Sequence, residues 1–120
     1  MRPDWDTYWF TVAATVATRA TCPRANVGAV LVKHQRVLST GFNGSAPGSP
    51  HCPTEGTALE EHMALTTCDR SVHAEVNCLI NTWITPFGAT LYVHGPRPVC
   101  VNCAARLKEQ GVTDIRRRDS

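Results

Sequence analysis

The stretch NVGAVLVKHQRVLSTGF, residues 26–42, decides the fold. Val27–Val32 is a short apolar run rich in β-branched residues, and Arg36–Phe42 resumes as a second strand-like run after Lys33-His34-Gln35. Two such runs across so short a polar gap predict a β-hairpin. Before it, Trp5, Trp9, Val12 and Val16 recur at helical spacing behind Asp4, predicting an amphipathic helix with Asp4 as N-cap and the Trp stripe in the core. After it, residues 73–83 (HAEVNCLINTW) read as a helix and 89–94 (ATLYVH) as a strand. Residues 95–100 (GPRPVC) read as a Pro-stiffened turn, and 101–110 as a helix ended by Gly111. Residues 112–118 (VTDIRRR) are the last strand-like run. The order α-ββ-α-β-α-β predicts a mixed sheet with helices packed over it.

The 120 residues fit one domain, 1–120, interrupted by an insert at about 45–70 that begins rich in Gly and Pro. An unstructured loop of that length is unusual inside a compact domain, so the insert is expected to carry a function or an internal staple. A net charge of +2 leaves no broad nucleic-acid footprint, and Arg116-Arg117-Arg118 reads as a solvated basic end. No apolar stretch approaches the ~20 residues of a membrane span, and nothing after Met1 resembles a signal segment. Cytoplasmic location is the resulting expectation, which becomes the host cytoplasm for a phage protein. There, six cysteines point to metal or catalysis rather than to a disulfide framework. Cys78, inside the helix at 73–83, reads as a small buried hydrophobe.

His73 and Glu75 stand two apart at a predicted helix start, and Cys100 and Cys103 have CxxC spacing at another. In mid-helix, positions i and i+2 face different sides, but in a first turn both side chains can reach one point beyond the helix end. CxxC alone is shared with redox dithiols and structural zinc knuckles. Together with His-x-Glu it matches the pattern of zinc-dependent nucleobase deaminases. Three protein ligands, His73, Cys100 and Cys103, leave a tetrahedral zinc one position for water, as catalytic sites require. Glu75 beside that water is the candidate general acid/base and not a ligand.

In order along the chain, VGAVLV, STGFNG, HAEVN, ATLYV and CVNCA resemble the cytidine/deoxycytidylate deaminase superfamily, and residues 22–52 resemble its deoxycytidylate (dCMP) deaminase branch. The resemblance implies a cytidine deaminase-like three-layer α/β/α fold with a mixed sheet of four to five strands. It implies zinc-dependent hydrolysis of dCMP, or a 5-substituted dCMP, to the deoxyuridine nucleotide and ammonia. Homo-oligomers, commonly hexamers, and allosteric control by dCTP and dTTP occur in that branch. Among the residues, it implies that Asn43 meets the deoxyribose, that Arg24 is a candidate for the phosphate, and that Ala74 meets the substrate. Asn-Gly is also ordinary turn chemistry, so both readings of Asn43 stay open. Some members carry a second, structural zinc, and Cys22, Cys52 and Cys68 match its cysteine positions, with His51 or His62 near enough for a fourth ligand.

The chain departs from the family pattern in three places. Val99 separates Pro98 from Cys100, residues 94–99 lengthen the connection before CxxC by about two residues, and the C-terminus is short of the usual fifth strand and following segment. A more open pocket, suited to a 5-substituted cytosine, is expected from this, as is a compact phage-type member. Two other readings share these motifs. A deaminase acting on tRNA or on a nucleoside would use the same zinc site, but the tRNA enzymes have a much shorter Asn-to-His segment. A non-catalytic zinc module would need a fourth protein ligand and has no use for Glu75.

Overall fold

In the computed structural model, residues 1–21, 26–45, 56–64, 71–96 and 99–119 are described. They form α1 (Trp5–Ala17), β1 (Gly28–Lys33), β2 (Arg36–Phe42), β3 (Gly44–Ser45), α2 (Gly56–Ala64), β4 (Ser71–Val72), α3 (Ala74–Asn81), β5 (Thr90–His94), α4 (Val101–Glu109) and β6 (Asp114–Arg118). The hairpin forms where the sequence reads it. β1 and β2 pair antiparallel from Gly28↔Phe42 to Lys33↔Arg36. His34 and Gln35 make the turn at φ +53° and +59°, the left-handed pair that matches the twist of a two-residue hairpin. β5 lies antiparallel on the other side of β1, and β6 lies parallel to β5. The order is therefore β2-β1-β5-β6, a mixed four-stranded sheet.

Strand alternation splits the core between the two faces of this sheet. Val30, Val32 and Tyr92 pack with Trp9, Phe10 and Ala13 of α1 on one face. Ala29, Leu31, Leu91 and Val93 pack with Ala74 and Cys78 of α3 and Leu107 of α4 on the other. Helices on both faces give the three-layer α/β/α arrangement. Fully buried aliphatic side chains such as Leu31, Leu91 and Leu107 are each worth about 1.5–3 kcal/mol in transfer free energy.

Three local features differ from the sequence reading. In α1, Asp4 caps as expected, its Oδ1 accepting the Thr7 amide at 2.7 Å. Its buried stripe, however, is Trp9, Phe10, Ala13 and Ala17, while Trp5 stays 53% exposed and Val12 and Val16 are only partly covered. The helix turns its small residues inward because β1 presents Gly28 there. A Cβ at Gly28 would overlap the Ala13 carbonyl oxygen and the Ala17 backbone. Secondly, the insert contains α2, and β3 pairs with β4 (Gly44↔Val72, Ser45↔Ser71), so the chain leaves and re-enters the domain at adjacent points. Thirdly, the strand read at 112–118 forms as β6, and Arg116–Arg118 at its end are exposed yet find partners within the chain. Arg116 bridges Asp6 (2.6 Å) and Asp114 (2.8 Å), Arg117 donates to the Gly95 carbonyl (2.9 Å), and the Arg118 guanidinium lies 4.4 Å from the centre of the Phe10 ring. The contacts of Arg116 with Asp6 and of Arg118 with Phe10 fasten the edge strand to α1.

No helix among the described residues is long and apolar enough to cross a membrane.

Candidate metal centre and active site

The site is assembled from the first turns of α3 and α4. α3 begins at Ala74 with His73 as its N-cap residue in extended conformation, and the His73 side chain makes no capping bond. The imidazole is thus left to face α4. Glu75 follows in the first turn and is only 5% exposed. α4 begins at Val101, capped by Cys100, whose Sγ accepts the Cys103 amide at 3.3 Å. Amides at a helix start stabilise negative charge on such a sulfur.

His73 Nδ1 lies 3.1 Å from Cys103 Sγ and 3.6 Å from Cys100 Sγ. All three ligand atoms fall within 4.8 Å of one another, the one such cluster among the described residues. Tetrahedral zinc with bonds of about 2.0–2.3 Å requires N–S edges of roughly 3.5 Å. The donor set, one imidazole and two sulfurs, is also one that zinc favours. The electrostatics fit a dication too. Burial is the main cause that raises the Glu75 carboxyl above its ordinary value, partly offset by its hydrogen bond with the Cys103 thiol and by His73. Burial likewise drives the Cys103 thiol up, helped by Cys100 and Glu75. Groups that disfavour one another's negative charge in this way are relieved by a cation placed among them.

What holds α3 in place is a seam of polar bonds that the sequence reading missed. Asn77 Nδ2 donates to the Phe42 carbonyl (2.7 Å), Asn81 Nδ2 to the Thr40 carbonyl (2.9 Å), and Ser39 Oγ to the Cys78 carbonyl (2.7 Å). Gly41 allows the close approach, since a Cβ there would run into the Cys78 amide and Asn77 Cβ. A signal was available: two asparagines four apart lie on one helix face.

His73, Glu75, Cys100 and Cys103 are therefore brought together, and Ala74, 1% exposed, sits between the first two. Asn43 follows Phe42 at the end of β2. Its Oδ1 accepts the Val27 amide at 2.7 Å, and its backbone bonds both Val27 and Thr21, so it ties the end of β2 to the chain that precedes β1. Cys78 stands apart, wholly buried, its thiol pushed up to about 12 chiefly by burial. Cys22, Arg24, His51, Cys52, Cys68 and Pro98 lie outside the described residues, as does the side chain of His62.

Comparison with known proteins gives a consistent picture. Residues 3–116 match the family described as the cytidine and deoxycytidylate deaminase zinc-binding region. The chain is 37% identical to the deoxycytidylate deaminase of Mycobacterium phage D29, over 95% of this chain and 94% of that one. It is 33% identical to ComE operon protein 2 of Bacillus subtilis (strain 168), again over 95% of its own length but spanning 59% of that protein. Among solved structures, the dCMP deaminase of cyanophage S-TIM5 in complex with dCMP and dUMP superposes with a TM-score of 0.77 at 26% identity. That match covers 98% of this chain and 83% of the other.

Proposed function

Because this chain belongs to the cytidine and deoxycytidylate deaminase zinc-binding family, we propose that it hydrolyses the amino group from a free deoxycytidine nucleotide. The substrate is dCMP or a 5-substituted dCMP, and the products are the corresponding deoxyuridine nucleotide and ammonia. The observation that carries this reading is the convergence of His73, Cys100 and Cys103 within 4.8 Å, with Glu75 buried in the same first turn of α3. The names of the phage D29 relative and the S-TIM5 complex support the choice of nucleotide.

Zinc held by the three ligands would supply a Lewis acid and a water acidic enough to react near neutral pH. The chain's own contribution is proton traffic and positioning. Glu75, outside the ligand set and shielded from solvent, takes a proton from the attacking water and delivers it to the ring nitrogen. It then takes the remaining proton from the hydroxyl added to the ring carbon and passes it to the departing amine, so that the carbonyl forms as the carbon–nitrogen bond breaks. Ala74 borders the base, Asn43 meets the deoxyribose beside its structural bond to Val27, and Arg24 takes the phosphate.

The reading extends to the rest of the molecule. Residues 1–120 act as one deaminase domain with an insert at about 45–70. Cys22, Cys52 and Cys68 hold a second, structural zinc. The protein works as a homo-oligomer in the cytoplasm, that of the host if it is a phage protein.

The test is ammonia release from dCMP, 5-methyl-dCMP, dCTP, deoxycytidine and a tRNA anticodon stem, with Glu75→Gln run alongside. Turnover of a monophosphate is expected, together with a loss of about 10²–10⁴-fold in Glu75→Gln at unchanged zinc content. Activity confined to the tRNA stem would move the chain to RNA editing. Metal bound without turnover of any of the five would leave a non-catalytic zinc module.

A further inference from the structure

A cleft of about 270 Å³ opens between the first turn of α1, the turn of the β1–β2 hairpin and the start of β5. Trp5, Lys33, Gln35, Gly88, Tyr92 and Arg116 are among its walls. It lies away from the metal cluster. The first turn of α3 is tied to the Phe42 carbonyl, and Phe42 pairs with Gly28 at the start of β1. The cleft is at the other end of β1, where Lys33 pairs with Arg36, roughly 17 Å along the strand.

Most polar groups in the cleft satisfy one another. Asp6 Oδ1 accepts from the Tyr92 hydroxyl (2.7 Å) and from Arg116 Nη1 (2.6 Å), and Arg116 Nε donates to Asp114 (2.8 Å). Gln35 Oε1 accepts the Trp9 indole N–H at 3.5 Å, which leaves the Gln35 amide nitrogen to donate. Lys33 is the exception. Half-buried, it makes no hydrogen bond or ion pair among the described residues. Its ammonium rests against Gly88, 3.9 Å from where a Cβ would stand. Beside it Trp5, 53% exposed, stacks at 14° on Trp9, which holds an indole surface in place at the cleft wall.

We propose that this cleft binds a small aromatic carboxylate, with its carboxylate on Lys33 and Gln35 and its ring against Trp5. Two N–H donors match the two oxygens of a carboxylate, and the charge on Lys33 strengthens the pair. A cation would meet the unpaired ammonium, because Asp6 is already committed to Arg116. A neutral ring would leave that ammonium unpaired, and an inorganic anion would leave the indole uncovered. The volume falls just under the range of about 300–1,000 Å³ for small-molecule sites, which suits a single ring. Lys33 is the one uncommitted ammonium or guanidinium in the cleft, so a nucleoside triphosphate, whose phosphates call for several, does not fit.

The experiment follows backbone amide NMR shifts of the zinc-loaded full chain during titration with benzoate, benzamide and inorganic phosphate, for the wild type, Lys33→Met and Trp5→Ala. Benzoate is expected to move the amides of residues 33–36 and 88–90 and to saturate in the millimolar range, as one ring and one ion pair allow. Benzamide and phosphate should each bind the wild type about tenfold more weakly or worse, and benzoate should lose as much on either variant. Both replaced side chains reach solvent, so the spectrum away from the cleft should persist. Shifts confined to the first turns of α3 and α4 would put benzoate on the metal and overturn the proposal. Benzamide or phosphate binding as tightly as benzoate, or full affinity in either variant, would overturn it too, as would the absence of saturable shifts. The readout is a chemical shift, so a chain without deaminase activity would leave the result standing.

Discussion

Asn77 shows how one side chain outside the ligand set governs the site. Its 2.7 Å bond to the Phe42 carbonyl joins the end of β2 to the helix turn that carries His73 and Glu75, and its amide closes that turn onto the His73 carbonyl. Asn77→Ala would strand a part-buried carbonyl, at a cost of about 1–3 kcal/mol. It would also let the first turn of α3 shift, and small misplacements of reacting groups lower rates by up to roughly 10²-fold. The expected outcome is a lower denaturant midpoint together with a fall in turnover at full zinc content. Stability lost with turnover intact would make Asn77 a fold residue and nothing more. The chemistry itself was legible at this scale, because zinc ligands and a proton carrier are restricted to few residue types at few spacings. Asn77 was not, because an amide bonds any nearby carbonyl and only the fold says which one is near.

The strands and helices follow from local pattern, but the rotation of each does not. β1 and β2 were readable from apolar runs across a three-residue gap. The inward face of α1 was read only in part: Trp9 is buried and Val12 and Val16 pack against the core, but Trp5 stays exposed while Phe10, Ala13 and Ala17 are buried. Tertiary contact brings Ala13 and Ala17 inward, because Gly28 lets the helix backbone close onto β1. Gly28→Ala therefore forces α1 away from the sheet. A loss of about 3 kcal/mol, read as a lower urea midpoint, is expected. An unchanged midpoint would mean that α1 yields without cost. β6 teaches a related lesson. The strand itself was readable, but the parallel partner β5 and the acceptors Asp6, Asp114 and Gly95 that its exposed arginines reach were not.

Across the whole molecule, α3 is the axis of the argument. Its first turn carries part of the metal cluster, and Asn77 and Asn81 bind it to β2. Between β3 and β4 the chain departs at Ser45 and returns opposite it at Ser71. Closing so long an excursion costs entropy that a two-residue ladder does little to offset, and a metal clip on Cys22, Cys52 and Cys68 would do so. Two zinc ions per wild-type chain are expected by metal analysis. Cys22→Ala and Cys52→Ala should each retain one and unfold at lower temperature, whereas unchanged stoichiometry in both would remove the second ion from the account. The sequence by itself determined the hairpin, the order of the main-sheet strands and of α1, α3 and α4 along the chain, and four candidate groups that the fold brings together. These depend on short-range pattern and on residue chemistry, which survive without coordinates. Only the tertiary structure decided that Ala13 and Ala17 close onto β1, which acceptors the arginines of β6 find, where Asn77 anchors α3 and which apolar residues lie uncovered. Each of those depends on which distant groups the folded chain brings into contact, and no local spacing records that.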